Sequence, residues 1–421
     1  DNNLKVPFKL HTISTGEALN SRTGITTTTL RDNGTLIKGE TDNIRWEIQE
    51  VDVSTGTFSL LVRQGNDSHK RPIILEKWEN LTLDSTQPNY IEKIIGNSVT
   101  TIQGSGGSEP YVNTIGEFPN KSRFIRISSV VPINNYLNEN GNVLGDGSVS
   151  ASLPAIGSGS LGGGFDDGSD GTVTHPINFY ETITSTNTQG LNPTTGVGLT
   201  GYEDAINLLR NQDEYDINLI YVPGISSADH PVLITKTLEM CEDRGDCFAV
   251  IDPVLYDSGI SQVTSEGTKF NSSYGAMYWP WIQVSDDTGM HRWVPGSVGA
   301  AEVFAFNDKT KHPWFAPAGM NRGVINAVQA ERKLLQSTRD TLYRNRINPI
   351  ATFPGQGVTI FGQKTLQKKA SALDRVNVRR LLIAVKKFIA ASSRFLVFEQ
   401  NTPKLRRKFL AIANPFLEKV Q

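Results

Sequence analysis

Four of the six tryptophans of this 421-residue chain fall between Tyr274 and Gly323, in YGAMYWPWIQVSDDTGMHRWVPGSVGAAEVFAFNDKTKHPWFAPAGMNRG. Pro280 constrains this stretch most. Tyr278, Trp279 and Trp281 flank a residue that has no amide hydrogen and a fixed φ, so the apolar strand read at Tyr274 to Trp279 must leave its sheet there. After a polar turn at Asp286 to Gly289, Ser297 stands two residues beyond Pro295 as the expected N-cap of a helix over Val298 to Phe306. Gly299, Ala300 and Ala301 give that helix a flat side, which lets a sheet approach closely. Trp314-Phe315-Ala316-Pro317-Ala318-Gly319 then adds aromatic mass within rigid, extended backbone. The stretch holds no nucleophile with a base beside it, and it reads as a scaffold whose shape matters.

Upstream of it the pattern alternates. Gly201 to Gln212 reads as a helix with Ala205, Leu208 and Leu209 on one face, followed by a strand at Ile217 to Val222. A helix at Pro231 to Arg244, a strand at Phe248 to Asp252, a helical patch at Ser258 to Phe270 and the strand ending at Trp279 continue the series. Strands alternating with helices predict βαβ units and a parallel sheet. Beyond Gly323 we expect a long charged helix to about Arg346, then a short strand at Val358 to Phe361.

The first 137 residues read differently. Ile44 to Val53 alternates, Ser54 to Thr57 turn and Phe58 to Gln64 return, which is a hairpin. Ile73 to Trp78 and Phe124 to Val131 are further strands, and Pro88 to Ser98 holds one short helix. From Asn138 to Thr172 the composition shifts to Gly, Ser, Asp and Asn, as in a linker. The fold class is therefore α+β to α/β and multidomain: 1–137 β-rich, 138–190 linker and crossover, 191–345 an α/β core, and 346–421 a basic part with amphipathic helices, possibly packing with that core.

Candidate chemical motifs are weak. Gly157, Gly159 and Gly162 satisfy GxGxxG but neither follow a strand nor open a helix. Gly196, Gly198 and Gly201 do precede a helix and offer the alternative of a nucleotide-binding enzyme, although Leu191 to Thr195 is a loop where a strand is required. Gly357 to Gly362 has P-loop spacing with Gln363 at the lysine position, leaving no charge for a phosphate. Asp166, Asp167 and Asp170 lack the remaining ligands of a calcium loop. Cys241 and Cys247 are the only cysteines, too few for a disulfide framework or a zinc site, and the six histidines are scattered. No cofactor, metal or catalytic role is expected. No apolar run approaches the roughly 20 residues that span a bilayer, and no signal peptide opens the chain, so no membrane insertion is expected.

Charge is divided unevenly. Residues 361–421 hold fourteen Lys and Arg against three Asp and Glu, a balance of +11, and the remainder holds 27 against 40. Such a split points to an acidic partner or to opposite faces of self-associating copies. In a helix expected from Asp374 to Ala391, Val378, Leu381, Leu382, Val385, Phe388 and Ile389 form an apolar stripe. Arg379, Arg380, Lys386 and Lys387 fall outside it and are expected to present positive charge. A solvated basic surface reads the same way. Direct nucleic-acid contact is disfavoured, because no aromatic-interleaved basic platform accompanies the charge.

Arg292-Trp293-Val294-Pro295, Asp308, Trp314 with Ala316-Pro317-Ala318-Gly319, and Asn321-Arg322-Gly323 follow one another as in the sheath protein of contractile bacteriophage tails of the T-even type. The chain resembles that family. Ile347-Asn348-Pro349, Asp374 to Leu381 (DRVNVRRL) and Arg394 to Asn401 (RFLVFEQN) match it in order, so the last third carries the likeness strongly. Glu76 to Asn89 and Cys241 to Pro253 carry it thinly. Phe306-Asn307 departs from it, since many relatives place Ala-Arg or Arg-Thr before the aspartate. The resemblance implies a structural subunit that stacks in six-membered rings around an inner tail tube and contracts on a baseplate trigger to drive the tube through the host envelope. It implies sheath copies, tube protein, baseplate and tail terminator as partners, and a place in the virion after assembly in the host cytoplasm. Arg379, Arg380, Lys386 and Lys387 are then the expected tube contact, with Trp293, Pro295, Asp308, Trp314, Ala316, Pro317, Gly319, Asn348 and Pro349 as structural positions. Family members carry terminal arms that exchange strands between neighbours. With Asp1 as first residue and no counterpart of those arms, a trimmed core that is monomeric in dilute solution is expected. The β-rich first third, with triplets such as Asn66-Asp67-Ser68, leaves a virion carbohydrate-binding protein as a further alternative.

Overall fold

The computed structural model describes residues 7–420 apart from 17, 21–33, 37–38, 108, 134–135, 138–139, 141, 144–152, 157–163, 166, 169–182, 185–186, 189–195 and 287–288. The first GxGxxG, Asp166 and Asp170, and most of the expected linker lie outside the described residues. The chain divides into two units, residues 1–103 with 112–171, and residues 104–111 with 172–421.

In the first unit, β1 (Phe8–Thr12) pairs antiparallel with β7 (Ile125–Val130). β2 (Ile44–Asp52), β3 (Thr57–Gln64) and β4 (Ile74–Thr82) form an antiparallel sheet in that order. The single-turn α1 (Ile91–Ile95) follows β4, and β5 (Val99–Gln103) and β6 (Tyr111–Ile115) make a two-stranded ribbon. The expected hairpin forms with Ile48 opposite Leu60. Ile48, Phe58, Leu60, Leu81, Ile91, Ile95, Ile125 and Ile127 are sealed from solvent in one core. Asp67 sits at its edge, gripped by Arg63 through two bonds of 2.7 and 2.8 Å, while Arg63 also reaches Glu47 at 2.7 Å. Buried guanidinium groups require such pairing, since an isolated charge cannot leave water cheaply.

The second unit holds a short pair, β8 (Ile183–Thr184) with β9 (Asn187–Thr188), then α2 (Gly196–Leu208), β10 (Leu219–Ser226), α3 (Pro231–Arg244), β11 (Phe248–Asp252), α4 (Ile260–Lys269) and β12 (Gly275–Trp279). β13 (Ile282–Ser285), β14 (His291–Val294), α5 (Gly296–Thr310), β15 (Val324–Ile325), β16 (Gln329–Ala330) and α6 (Gln336–Arg344) come next. β17 (Ile347–Phe353), β18 (Gly357–Ile360), α7 (Val376–Ser393) and α8 (Pro403–Val420) complete it. The main sheet runs β10-β11-β12-β17-β18-β15, with the first four strands parallel and the hairpin strand β18 antiparallel to both its neighbours. β11 is buried at all five positions, as a central strand covered on both faces must be. Ala249, Ile251, Met277 and Trp279 pack with α3, α4 and α6 on one face, while Phe248, Val250, Ala276 and Tyr278 pack with α5 and α7 on the other. Gly299 supplies the flat side read from the sequence. A Cβ there would stand 2.8 Å from the tips of Ile282 and Ile325.

Four expectations fail. The long helix from Gly323 does not form: β15 and β16 occupy its first half, and only Gln336–Arg344 is helical. Backbone pairing of Ile325 with Val358 and of Ala330 with Ile282 outweighs the helical propensity of the charged run. Ser297 is not an N-cap, because the helix opens one residue earlier with Pro295 in the cap position. Gly196 to Gly201 lie inside α2 rather than before it, which removes the nucleotide-loop reading. Residue 346 is no boundary, because β17 sits in the middle of the sheet beside β12.

Candidate functional site

β12 ends at the cis Trp279-Pro280 bond, and the chain leaves the main sheet there as expected. Trp281 is buried and its indole donates to the Val254 carbonyl at 3.1 Å. The Glu331 carboxylate accepts the amides of Asp257 and Trp281 at 3.1 and 3.2 Å, so the exit of the strand is held by a side chain 50 residues on. Trp293 stands 5.2 Å from the Tyr256 ring, which meets Trp281 edge-on at 6.0 Å. At the end of β11 Asp252 accepts both the amide (2.9 Å) and the hydroxyl (2.6 Å) of Ser297, capping α5 from across the sheet. Complete burial pushes its carboxyl up to about 7, against the pull of the two Ser297 bonds.

This cluster is not a reaction centre. Asp252 and Ser297 are sealed from solvent, and the neighbouring His230 spends Nδ1 on the Ser226 amide at 3.1 Å instead of on a hydroxyl. Among the described residues no group of three or more His, Cys, Asp and Glu is placed to hold a metal, and no helix is long and apolar enough to cross a membrane.

On the opposite edge of the sheet the segment 312–323 forms an arch. Trp314 stacks on His312 at 4.5 Å and meets Phe416 of α8 edge-on at 6.1 Å. The Gly319 amide donates to the Ile360 carbonyl and the Ile360 amide to the Gly323 carbonyl, at 2.8 and 2.7 Å, clamping the arch to β18. Asn348, fully buried in β17, donates to the carbonyls of Met277 (3.1 Å) and Lys364 (2.8 Å) and accepts the Lys364 amide at 2.6 Å. The Pro349 carbonyl takes the Phe361 amide at 2.8 Å. The structure thus brings Ala316 and Gly319 beside Gly362, which packs on Asn348 and Pro349, holds Trp314 against α8, and leaves Trp293 and Pro295 at the other end of α5. Under the arch lies a pocket of about 290 Å³ lined by Ala316, Ala318, Gly319, Tyr343, Phe361, Gly362 and Gln363. Sequence reasoning missed it, because its walls come from three separate segments and only the order of small residues in Ala316 to Gly319 hinted at a close approach.

The basic helix corrects a further expectation. Arg379 and Arg380 are 7 % and 5 % exposed, so they do not present charge to a partner. Arg379 lies over the Tyr274 ring at 4.0 Å and bonds the Ser273 hydroxyl, while Arg380 lies over Phe304 at 4.9 Å and pairs with Asp308 at 2.5 Å. Their long apolar stems and flat cations pack on aromatic rings, so polar residues here make the buried face together with Val376 and Ile383. Lys387 bonds Asp216, the Ile217 carbonyl and Asn218. Of the four, Lys386 alone is exposed. Much of the apolar stripe serves α8 instead, through the stacked pair Phe388 and Phe416 at 4.2 Å. The turn between the two helices exposes Phe395, Val397 and Phe398, the last with a left-handed φ of 68°.

What these features define is a covered, largely parallel mixed sheet, tied off by aromatic and carboxylate contacts and finished by a cationic helical hairpin. Residues 198–366, a range that contains the whole six-stranded sheet, match the family model for the phage tail sheath protein central domain. This part of the chain is thus similar to the central domain of phage tail sheath proteins. The chain is 39 % identical over 132 residues to the tail sheath protein of Vibrio phage KVP40, covering 31 % of this chain and 20 % of that one. To the tail sheath protein of Enterobacteria phage T4 it is 31 % identical over 172 residues, covering 40 % and 26 %. The matched stretches thus span between a fifth and about a quarter of those relatives' lengths. The crystal structure of a sheath tail protein from Listeria innocua aligns over 92 % of this chain and 67 % of that one with a TM-score of 0.47 and 10 % identity, too slight to carry structural detail across.

Proposed function

We propose that this chain is a structural subunit of a contractile phage tail sheath, which polymerises with its own copies around an inner tail tube and shortens to push that tube through the host envelope. The observation that carries the reading is the coincidence of the sheath central-domain match with the entire covered sheet. Function by shape suits the ends of those strands, where the Asp252 and Glu331 carboxylates are taken up by backbone amides and the Ser297 hydroxyl. Contacts between unlike faces of successive copies do not close on themselves and so build helical tubes, and two packings of the same faces can store the work of contraction. Baseplate and tail terminator would bound the tube at its ends, and assembly would take place in the host cytoplasm before the virion is released. No catalysis is required of the chain.

The tube contact moves to the cations that are exposed. Lys386 on α7 and Lys404, Arg406, Arg407 and Lys408 on α8 are all exposed and carry the positive charge that the hairpin offers to solvent. The test is electron microscopy of this chain co-expressed with its tube protein. Sheathed tubes support the proposal; naked tubes with the chain recovered soluble and folded would overturn it. The helical placement of Gly196 to Gly201 leaves nothing to favour a nucleotide-dependent enzyme.

A further inference from the structure

Four cations stand on aromatic rings at or beside the pocket under the arch, and among the described residues only one of them has a carboxylate partner. Arg322 lies over the Phe315 ring at 5.4 Å, and Arg339 lies over Phe353 and Phe361 at 5.0 and 5.7 Å. Lys364 holds its ammonium over the Tyr343 ring at 4.5 Å, and Arg375 stands 5.7 Å from the same ring with its guanidinium on the Tyr343 hydroxyl. Among the described residues Arg322, Arg339 and Lys364 form no ion pair; only Arg375 has a carboxylate, that of the adjacent Asp374 at 3.2 Å. Burial, and after it the Arg375 and Arg346 guanidinium groups, hold the Lys364 ammonium below its ordinary range, against the opposing pull of the Asp374 carboxylate. Gathering like charges around a partly desolvated opening costs free energy that an anion in the opening would return.

The opening is small. At about 290 Å³ it lies just below the range of pockets that enclose a drug-sized ligand, and its walls are two aromatic rings and four Ala or Gly residues. It suits one side chain with its carboxylate turned toward the rim. The same unit carries matching groups on its far side: Glu239 and Glu242 are exposed on α3, which packs on β10 and β11, and form no ion pair among the described residues. β10 is one edge of the sheet and β15 with β18 the other, so one molecule cannot bring these carboxylates to its own pocket.

We propose that the pocket is a socket for an acidic side chain of a second copy of this chain, with α3 of that copy supplying Glu239 or Glu242 in a head-to-tail contact. The inference rests on the sheath reading for its partner, while the socket itself stands on the local geometry. A contact between unlike faces propagates into a filament, and charge on both faces fixes which end meets which.

Binding is measured first on the chain in solution, by fluorescence anisotropy with labelled hexaglutamate at low salt. Saturable binding is expected, weakened about tenfold or more in Arg322→Gln/Arg339→Gln and in Lys364→Gln. It should change less than about twofold in Lys404→Gln/Arg407→Gln, which loses as much charge from the hairpin as the first variant loses from the rim. Equal weakening by the rim and hairpin variants, or no saturable binding, overturns the socket. Competition by inorganic pyrophosphate at lower concentration than hexaglutamate would make it a phosphate site and overturn the copy contact. In the tube assay, Arg322→Glu/Arg339→Glu and Glu239→Arg/Glu242→Arg should each abolish sheathing, and mixing the two should restore alternate pairing. If wild-type sheaths form and the reversed variants form them equally well, the inference fails and the sheath reading stands. If no sheaths form yet hexaglutamate binds through the rim, the sheath reading fails and the socket remains.

Discussion

Asp252 shows at the scale of one side chain how burial turns into a measurable property. Its folded carboxyl titrates near 7, whereas an unfolded aspartate releases its proton near 4. Between those values the native state holds a proton that the unfolded chain does not, so stability falls as pH rises, by up to about 4 kcal/mol in total, and levels off above 7. The buried Glu331 carboxyl, also raised, adds to the same slope. Urea unfolding at pH 5 and pH 8 should therefore show a smaller difference in Asp252→Asn than in the unmutated chain; equal differences would remove Asp252 as the source. Gly267 gives a second residue-scale prediction. Within α4 an alanine would ordinarily gain up to about 1 kcal/mol in helix propensity, but a Cβ here, in the last turn, would meet the Asn345 carbonyl oxygen at 2.1 Å. Gly267→Ala should lose stability by roughly 2 kcal/mol in the same assay, and a gain would show that the α4 and α6 backbones can part. Neither property was legible in the sequence. Asp252 was read only as the last residue of a strand, and Gly267 as part of a helical patch, because each acquires its role from a partner dozens of residues away.

Between elements, the ties are side chains that span the sheet. Asn348 joins β17 to β12 and to the Lys364 segment through three backbone groups, and Asn348→Ala should cost about 2–4 kcal/mol, since those groups remain buried without partners. Arg380 and Asp308 join α7 to α5. Removing Asp308 should cost roughly 2 kcal/mol, more than removing Arg380, while Arg380→Met/Asp308→Leu should recover most of the loss, because Arg380 is buried and is stranded without its partner whereas Asp308 is partly exposed. Additive losses in that double-mutant cycle would show that the two groups act independently. The place and length of α7 were legible in the sequence to within two residues, and the boundaries of α3 and β11 coincide with the reading. It misjudged which side of α7 is buried, since binary patterning counts arginine as polar and does not see aromatic rings waiting to receive it. It also read helix across residues 323–335, where strand partners on β18 and β13, invisible locally, impose extended backbone.

For the whole molecule, assembly should follow exposed charge rather than total charge. Lys386→Glu/Lys404→Glu/Arg407→Glu should leave the melting temperature within about 2 °C and weaken sheathing of tubes, most strongly at low salt, where screening is weakest. Arg379→Glu/Arg380→Glu should instead unfold the second unit, because it buries two carboxylates against Tyr274 and Phe304. If both sets weaken sheathing with no thermal effect, α7 faces outward in the assembled state. The sequence alone determined the alternation of strand and helix, the forced exit at Pro280, the β-rich first third and the charge imbalance toward the last 61 residues, since each follows from local periodicity, proline geometry or composition. Only the tertiary structure decided that residues 347–360 join the sheet, that two arginines point inward and that a pocket with cations on neighbouring rings opens beneath the arch. Those outcomes depend on which distant segments end up as neighbours, and a chain read in one dimension carries that information nowhere in particular.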